Sequence, residues 1–356
     1  MINFEAMDKA EKEKFIALVL SYPSSLNHYD IIDLIELKVP PDYAHMFKGS
    51  LPRDLIVGYH LGISPQQVHA EMSGICDWSG PYHEVMGMGV SAVVLRLRDE
   101  KGECSSPVMK IGKGLSNEYR IWEMVADSPI FLHPSYVHSR NLDVLSHDTS
   151  GCTIDNQLNR LLAGLPTQLF YPEHIFHDVF EQLDELRLRG IFYADLRPQN
   201  VLMVDRVENR LRFNVLNSFP KADHYRLLDF GESSDDPSHI PTCNRRYGGS
   251  DLMSLGQLLY KCTSWDENLF NDYSVSSLES ADQIRENRIS FCNDPKVREK
   301  YLSKVDRTIE REEIAGLIKV CLLAGTSLGE NPLACPKEIR DAAYDEVRRL
   351  CTDLRR

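Results

Sequence analysis

The rhythm of apolar and polar positions changes twice along the chain. Up to about residue 80, apolar side chains recur at helical spacing. Phe15, Ile16, Val19 and Leu20 share one face of a segment from Lys9 to Tyr22, and Ile31, Ile32, Leu34 and Ile35 lie in a second, Tyr29 to Leu37, that Pro40-Pro41 stops. Asp54 to Val68 predicts two short helices joined at Gly62, with the offsets of a helix-turn-helix. From Tyr82 the alternation is that of strands. Val85 to Leu97 carries Gly87 and Gly89 at a predicted hairpin followed by β-branched residues, and Ser106 to Ile111 is an apolar strand interrupted by one charge, Lys110. Ser116 to Val125 predicts a helix, His133 to His138 and Leu142 to Leu145 two more strands, and Ser146 to Gly151 a polar, turn-like link. Helical spacing then returns in Ile154 to Leu162 and in Tyr171 to Arg189, where Ile175, Phe176, Val179, Phe180, Leu183 and Leu186 form one face; Gly248 to Tyr260, Ile314 to Leu323 and Ile339 to Leu354 follow.

Composition narrows the function classes. With 356 residues, 42% hydrophobic and 26% charged, the chain can bury a full-sized core as one large two-part unit or two domains. A net charge of −13, from 40 Lys+Arg against 53 Asp+Glu, disfavours nucleic acid or an anionic membrane as main partner. The same argument disposes of the helix-turn-helix pattern as a DNA reader. Between Leu51 and Gly80 the basic residue is Arg53, set against Asp54, Glu71 and Asp77, so a helical hairpin packed on the next domain is expected instead. The N-terminus lacks a basic region followed by an apolar core, and no apolar run approaches the roughly 20 residues of a membrane span, so a cytoplasmic protein without an anchor is expected. Nine scattered cysteines without a Cys-x-x-Cys pair suggest reduced thiols rather than zinc ligands or disulfides.

The chemistry concentrates in Ile191 to Met203, where Asp195, Arg197 and Asn200 lie between apolar flanks, Ile191-Phe192 and Val201-Leu202-Met203. Such flanks anchor a short polar loop to a core on both sides. A carboxylate suits accepting a proton from an attacking hydroxyl, a carboxamide oxygen suits Mg²⁺, and a guanidinium suits a migrating phosphoryl group. Together these are the parts of a phosphoryl-transfer site.

Asp195-Leu196-Arg197-Pro198-Gln199-Asn200-Val201-Leu202 resembles the catalytic loop of the protein-kinase superfamily, His-Arg-Asp-Leu-Lys-x-x-Asn, with Tyr193 and Ala194 standing where the family has His and Arg. Four further stretches are similar to family motifs and come in the family's order. Gly87-Met88-Gly89 with Val94 resembles the glycine-rich loop, with Ala92 in place of the third glycine; Lys110 sits in a strand followed by Glu118, eight residues on, or Glu123 as its alternative partner. Arg226-Leu227-Leu228-Asp229-Phe230-Gly231 resembles the metal-binding Asp-Phe-Gly, 29 residues after Asn200, which implies an inserted hairpin around Val207 to Phe219. Gly248 to Tyr260 resembles the buried helix whose leading acid, Asp251, bonds the catalytic-loop backbone.

The resemblance implies an α+β, bilobal protein-kinase-like fold: a helical segment 1–80, a small β-rich lobe 81–150, and a larger helical lobe 151–356 with divergent terminal helices. It implies Asp195, Arg197 and Lys110 as catalytic residues, and ATP contacts from Gly87, Met88, Gly89, Val94, Lys110, Glu118 and Leu202. Asn200 and Asp229 would hold Mg²⁺, and the Ser146–Gly151 link would hold the adenine. A protein Ser/Thr kinase is the first expectation, similar to atypical kinases that bacteria deploy as effectors and deliver to a host cell. A small-molecule, lipid-headgroup or inositol-phosphate kinase is the second, because no Ala-Pro-Glu ends the segment between Gly231 and Gly248. A pseudokinase scaffold whose N-terminal helices bind a partner is the third; in an active enzyme those helices would instead be autoinhibitory, by occluding the cleft. Ala194 has no donor with which to read a phosphorylated loop, so phosphorylation of Ser233, Ser234, Ser238 and Thr242 is not expected to control activity.

Overall fold

A computed structural model describes residues 8–14, 52–76, 78, 82–88, 92–98, 104–147, 151–164, 171–204, 224–238, 250–265, 269–270, 278–329 and 332–354. The Tyr29–Leu37 helix, most of Lys9–Tyr22, Gly89, the Val207–Phe219 hairpin and Thr242 lie outside the described residues. The fold is mixed α+β with two small antiparallel sheets. It divides into two compact units, residues 1–119 with 133–149, and residues 120–132 with 150–356.

The first unit includes a helical hairpin, α1 (Pro52–Leu61) and α2 (Pro65–Ile75). Its turn is set by a capping box, in which Ser64 Oγ accepts from Gln67 N at 3.3 Å while Gln67 Oε1 accepts from Ser64 N at 3.0 Å. Ile56, Val57, Leu61, Val68, Met72 and Trp78 are buried. Buried Asp54 accepts from Trp78 Nε1 at 2.6 Å and bonds His69 Nδ1 at 3.1 Å, so its charge is spent inside the hairpin and not on a surface. The hairpin belongs to the same compact unit as the strands that follow it.

Five strands, β1 (Tyr82–Met88), β2 (Ala92–Arg98), β3 (Cys104–Gly112), β4 (Ser135–His138) and β5 (Asp143–His147), form an antiparallel sheet in the order β1-β2-β3-β5-β4. Val94 lies opposite Lys110, and Lys110 opposite Leu145. Ser146 and His147 pair with Met109 and Val108, so β5 runs two residues into the stretch expected to be a link. Helix α3 (Ser116–Met124) follows β3; Ser116–Tyr119 are counted with the first unit and Arg120–Met124 with the second.

The second unit holds the sheet β6-β7-β8 (Gly151–Thr153, Val201–Val204, His224–Leu227) and helices α4 (Ile154–Leu162), α5 (Pro172–Leu188), α6 (Asp251–Ser264), α7 (Leu278–Asn293), α8 (Pro295–Thr308), α9 (Glu312–Thr326) and α10 (Lys337–Leu354). The apolar face expected on α5 is buried from Ile175 to Leu186. Fully buried Gln182 on α5 ties that helix to β8, donating to Tyr225 O at 2.8 Å and accepting from Leu227 N at 2.9 Å. Helix α6 approaches α9 so closely that a Cβ on Gly325 would lie 2.7 Å from Met253 N, which requires glycine there. That contact fixes the first turn of α6, and with it Asp251.

Candidate functional site

Chain leaving α5 enters the polar loop through buried Ile191 and Phe192. The next two peptide groups are held by one carboxylate: Asp251 Oδ2 accepts from Tyr193 N and Oδ1 from Ala194 N, both at 3.0 Å. Ala194 takes φ +72°, a left-handed conformation costly for a non-glycine residue and stable when its surroundings over-determine it. Burial drives the Asp251 carboxyl up to about 7 against the lowering effect of those two N–H donors. Tyr193, in the histidine position of the resembling motif, is fully buried and acts as a hub. Its hydroxyl donates to Leu228 O, its carbonyl accepts from Ser233 Oγ at 2.9 Å, and its ring meets Phe230 edge-on with centroids 5.3 Å apart.

Three of the expected site residues are in mutual contact. Asp195, 7% exposed, accepts at Oδ2 from Asn200 Nδ2 at 2.8 Å and from Arg197 Nη2 at 2.9 Å. Asn200 Nδ2 also reaches Asp195 O at 3.0 Å. Both partners are acceptors, so the nitrogen of this amide must face Asp195, and its oxygen is turned the other way. Arg197 is half exposed, its guanidinium bonded to Asp195 and open to solvent on the remaining side. Asp195 is raised to about 6, first by burial; Arg197 and the Asn200 bond oppose this, while the charges of Asp229 and Glu232 add to it.

A turn of 3₁₀ helix, Pro198–Asn200, carries Asn200 into β7, and Asn200 O accepts from Leu228 N at 2.8 Å. This bond sets the residue after Leu228 beside the loop. Asp229 has φ +54° and accepts from Gly231 N at 3.2 Å, so two of the three described non-glycine residues with positive φ, Ala194 and Asp229, flank this one cluster. Strained backbone gathers at sites where geometry is imposed for a purpose. Leu202 is buried in β7, opposite Thr153 and Arg226.

In the first unit Lys110 Nζ donates to Glu118 Oε2 at 2.6 Å, with Glu118 only 4% exposed. Glu123 is exposed, so Glu118 is the residue the structure pairs with the lysine. Gly87 and Met88 end β1 opposite Val94 and Val93, after a bulge at Val85/Gly87. The structure therefore groups Lys110, Glu118, Val94, Gly87 and Met88 in one unit and Asp195, Arg197, Asn200, Leu202 and Asp229 in the other.

The segment after Gly231 carries contacts that motif reading missed. Ser234 exchanges two backbone hydrogen bonds with Phe192, at 2.8 and 3.0 Å, and Asp236 N donates to Ser234 Oγ at 3.0 Å. Ser233 is 1% exposed and Ser234 is buried, so these hydroxyls are structural parts rather than accessible acceptors; Ser238 is exposed. Arg120 makes a bidentate pair with Asp235, at 2.9 and 2.8 Å, and each holds the other in its charged form. The sequence signal for this was slight, an Asp-Asp step after two serines. Among the described residues there is no group of three or more His, Cys, Asp or Glu fit to hold a metal by themselves. No protein-family model matches the chain, and no curated protein matches it.

Proposed function

We propose that this chain is an ATP- and Mg²⁺-dependent phosphotransferase with a bilobal, kinase-like fold, acting on Ser or Thr hydroxyls of proteins. The observation that carries the reading is the commitment of the Asn200 nitrogen to Asp195, which turns the amide oxygen away from it, together with Asp229 at left-handed φ one residue beyond Leu228. The residues suit the ion. Mg²⁺ keeps several waters and binds through one or two protein groups plus substrate phosphates, so an amide oxygen and one carboxylate suffice where the described residues hold no three-acid cluster.

In this reading Asn200 and Asp229 would hold Mg²⁺, which when bound supplies charge neutralisation for the phosphates. Lys110, oriented by Glu118, contacts the non-transferred phosphates. Asp195 accepts the proton of the acceptor hydroxyl as its oxygen bonds to the γ-phosphorus and the bond to the ADP oxygen breaks. Arg197 meets the charge of the migrating group. Val94 and Leu202 contribute apolar surface to the nucleotide. The absence of Ala-Pro-Glu before Gly248 keeps a second acceptor class in view, a small molecule or lipid headgroup. No described helix is long and apolar enough to cross a membrane; the setting proposed for the enzyme is cytoplasm, including that of a host cell into which it is delivered.

The test is transfer of ³²P from γ-labelled ATP by the purified chain, offered protein mixtures, itself, and inositol-phosphate or lipid panels. Label on protein supports the first acceptor class and label on a small molecule the second. No transfer to any acceptor, with saturating Mg²⁺, overturns the reading.

A further inference from the structure

The link between the strand of Lys110 and the helix of Glu118 is three residues, Lys113-Gly114-Leu115, and both of its ends are held from outside. Leu115 N donates at 2.9 Å to buried Asp143, which also accepts from Tyr136 OH at 3.0 Å and bonds His138 Nδ1 at 2.7 Å. Lys113 Nζ donates to Leu61 O, the last carbonyl of α1. Between the two, Gly114 takes φ +74°, which lets the chain reverse into the helix within that short span. From the same hairpin, Glu71 on α2 accepts from Ser139 Oγ, Asn141 N (3.1 Å) and Asn141 Nδ2, in the turn that joins β4 to β5. Burial pushes the Glu71 carboxyl up, but the bonds from Ser139 and Asn141 outweigh it and hold the group ionised. Helix α1 also packs on β2 and β3, the strand that carries Lys110.

We propose that the α1–α2 hairpin is a built-in brace for the Lys110–Glu118 pair, with Lys113 and Glu71 as its positioning residues, and not a cover over the site or a docking arm for another protein. A helix carrying an essential carboxylate needs a fixed position relative to its lysine. Here the connection is too short to swing freely, and α1 supplies the bond that holds its first residue, Lys113. The consequence for catalysis rests on the phosphotransferase reading above; the mechanical claim does not.

The experiment compares the full chain with Lys113→Met, Lys113→Arg and Glu71→Ala by hydrogen exchange, alongside kcat and KM for MgATP. Loss of one charge-assisted bond should speed exchange across Leu115–Met124 by about tenfold. Residues 251–264 and 312–326 should stay unchanged, and Lys113→Arg, which keeps a donor, should restore protection. KM for ATP should rise in Lys113→Met and Glu71→Ala and return toward wild type in Lys113→Arg. Unchanged exchange at Leu115–Met124, equal acceleration at 251–264, or an Arg variant as fast as the Met variant would each overturn the brace. Higher activity on weakening the hairpin would show a cover instead. If the wild-type chain transfers no phosphate, the phosphotransferase reading fails while the exchange comparison still decides the brace.

Discussion

Two charged clusters of this molecule, around Lys110 and around Asp195, are balanced in opposite ways. In the first unit, one ammonium meets one carboxylate at 2.6 Å. In the second, Asp195, Asp229, Glu232 and Asp251 lie near one another, Arg197 is bonded to Asp195, and two of the acids are raised above the usual carboxylate range, Asp195 to about 6 and Asp251 to about 7. Burial is the leading cause in both cases, with neighbouring negative charge adding to it. A region that suppresses its own ionisation is a region where an added cation is stabilising. The contrast thus separates a paired ammonium and carboxylate from an acidic cluster whose charge, on the phosphotransferase proposal, a bound cation would complete.

The sharpest way to break this contrast is to remove its acids. Asp195→Asn and Asp229→Ala should each lower phosphoryl transfer by about 10²-fold or more, with the fold retained. Near-normal turnover of either would show that the cluster is structural. Lys110→Met should fall by about 10²-fold through lost phosphate contact, with Glu118→Gln milder and Glu123→Ala silent; a sensitive Glu123 would mean that the observed pair is not the working one.

Asp251 tests the protonation half of the contrast. Asp251→Ala orphans two buried N–H groups and should cost about 2 to 3 kcal/mol in denaturant unfolding. The wild-type acid carries a further signature. An unfolded chain releases this proton near pH 4, whereas the fold keeps it to about 7, so the contribution of Asp251 to stability is full below about 4 and declines as pH rises to 7. Asp251→Asn does not titrate and should flatten the pH–stability profile across that window; an unchanged slope would sink the assignment. The smallest effect belongs to the half-exposed Arg120–Asp235 pair. Arg120→Ala should cost no more than about 1 kcal/mol, and less at high salt.

Legibility in the sequence followed the range of the interaction. Ile154–Leu162 emerged with the boundaries its periodicity suggested, because a helix is specified by its own residues. Asp195 to Asn200 and Lys110 with Glu118 were readable because the two residues of each pair lie no more than eight positions apart. Ser146 and His147 read as a link and are strand, since ladder bonds to Met109 and Val108 use backbone groups that every residue carries. Arg120 with Asp235, Glu71 with Asn141 and Tyr193 with Leu228 join residues 115, 70 and 35 positions apart. No local pattern announces them. Tyr193 in particular read as a departure from a motif, whereas its hydroxyl, carbonyl and ring each tie the loop to the segment after β8.

Ser233 and Ser238 lie five positions apart and keep different histories. The Ser233 hydroxyl is 1% exposed and donates to Tyr193 O, so no modifying enzyme can reach it in the finished fold. Phosphate recovered there from cells would date from a moment when the chain was still being made or had come open, and its occupancy would count such openings. Phosphate at exposed Ser238 would carry no such record.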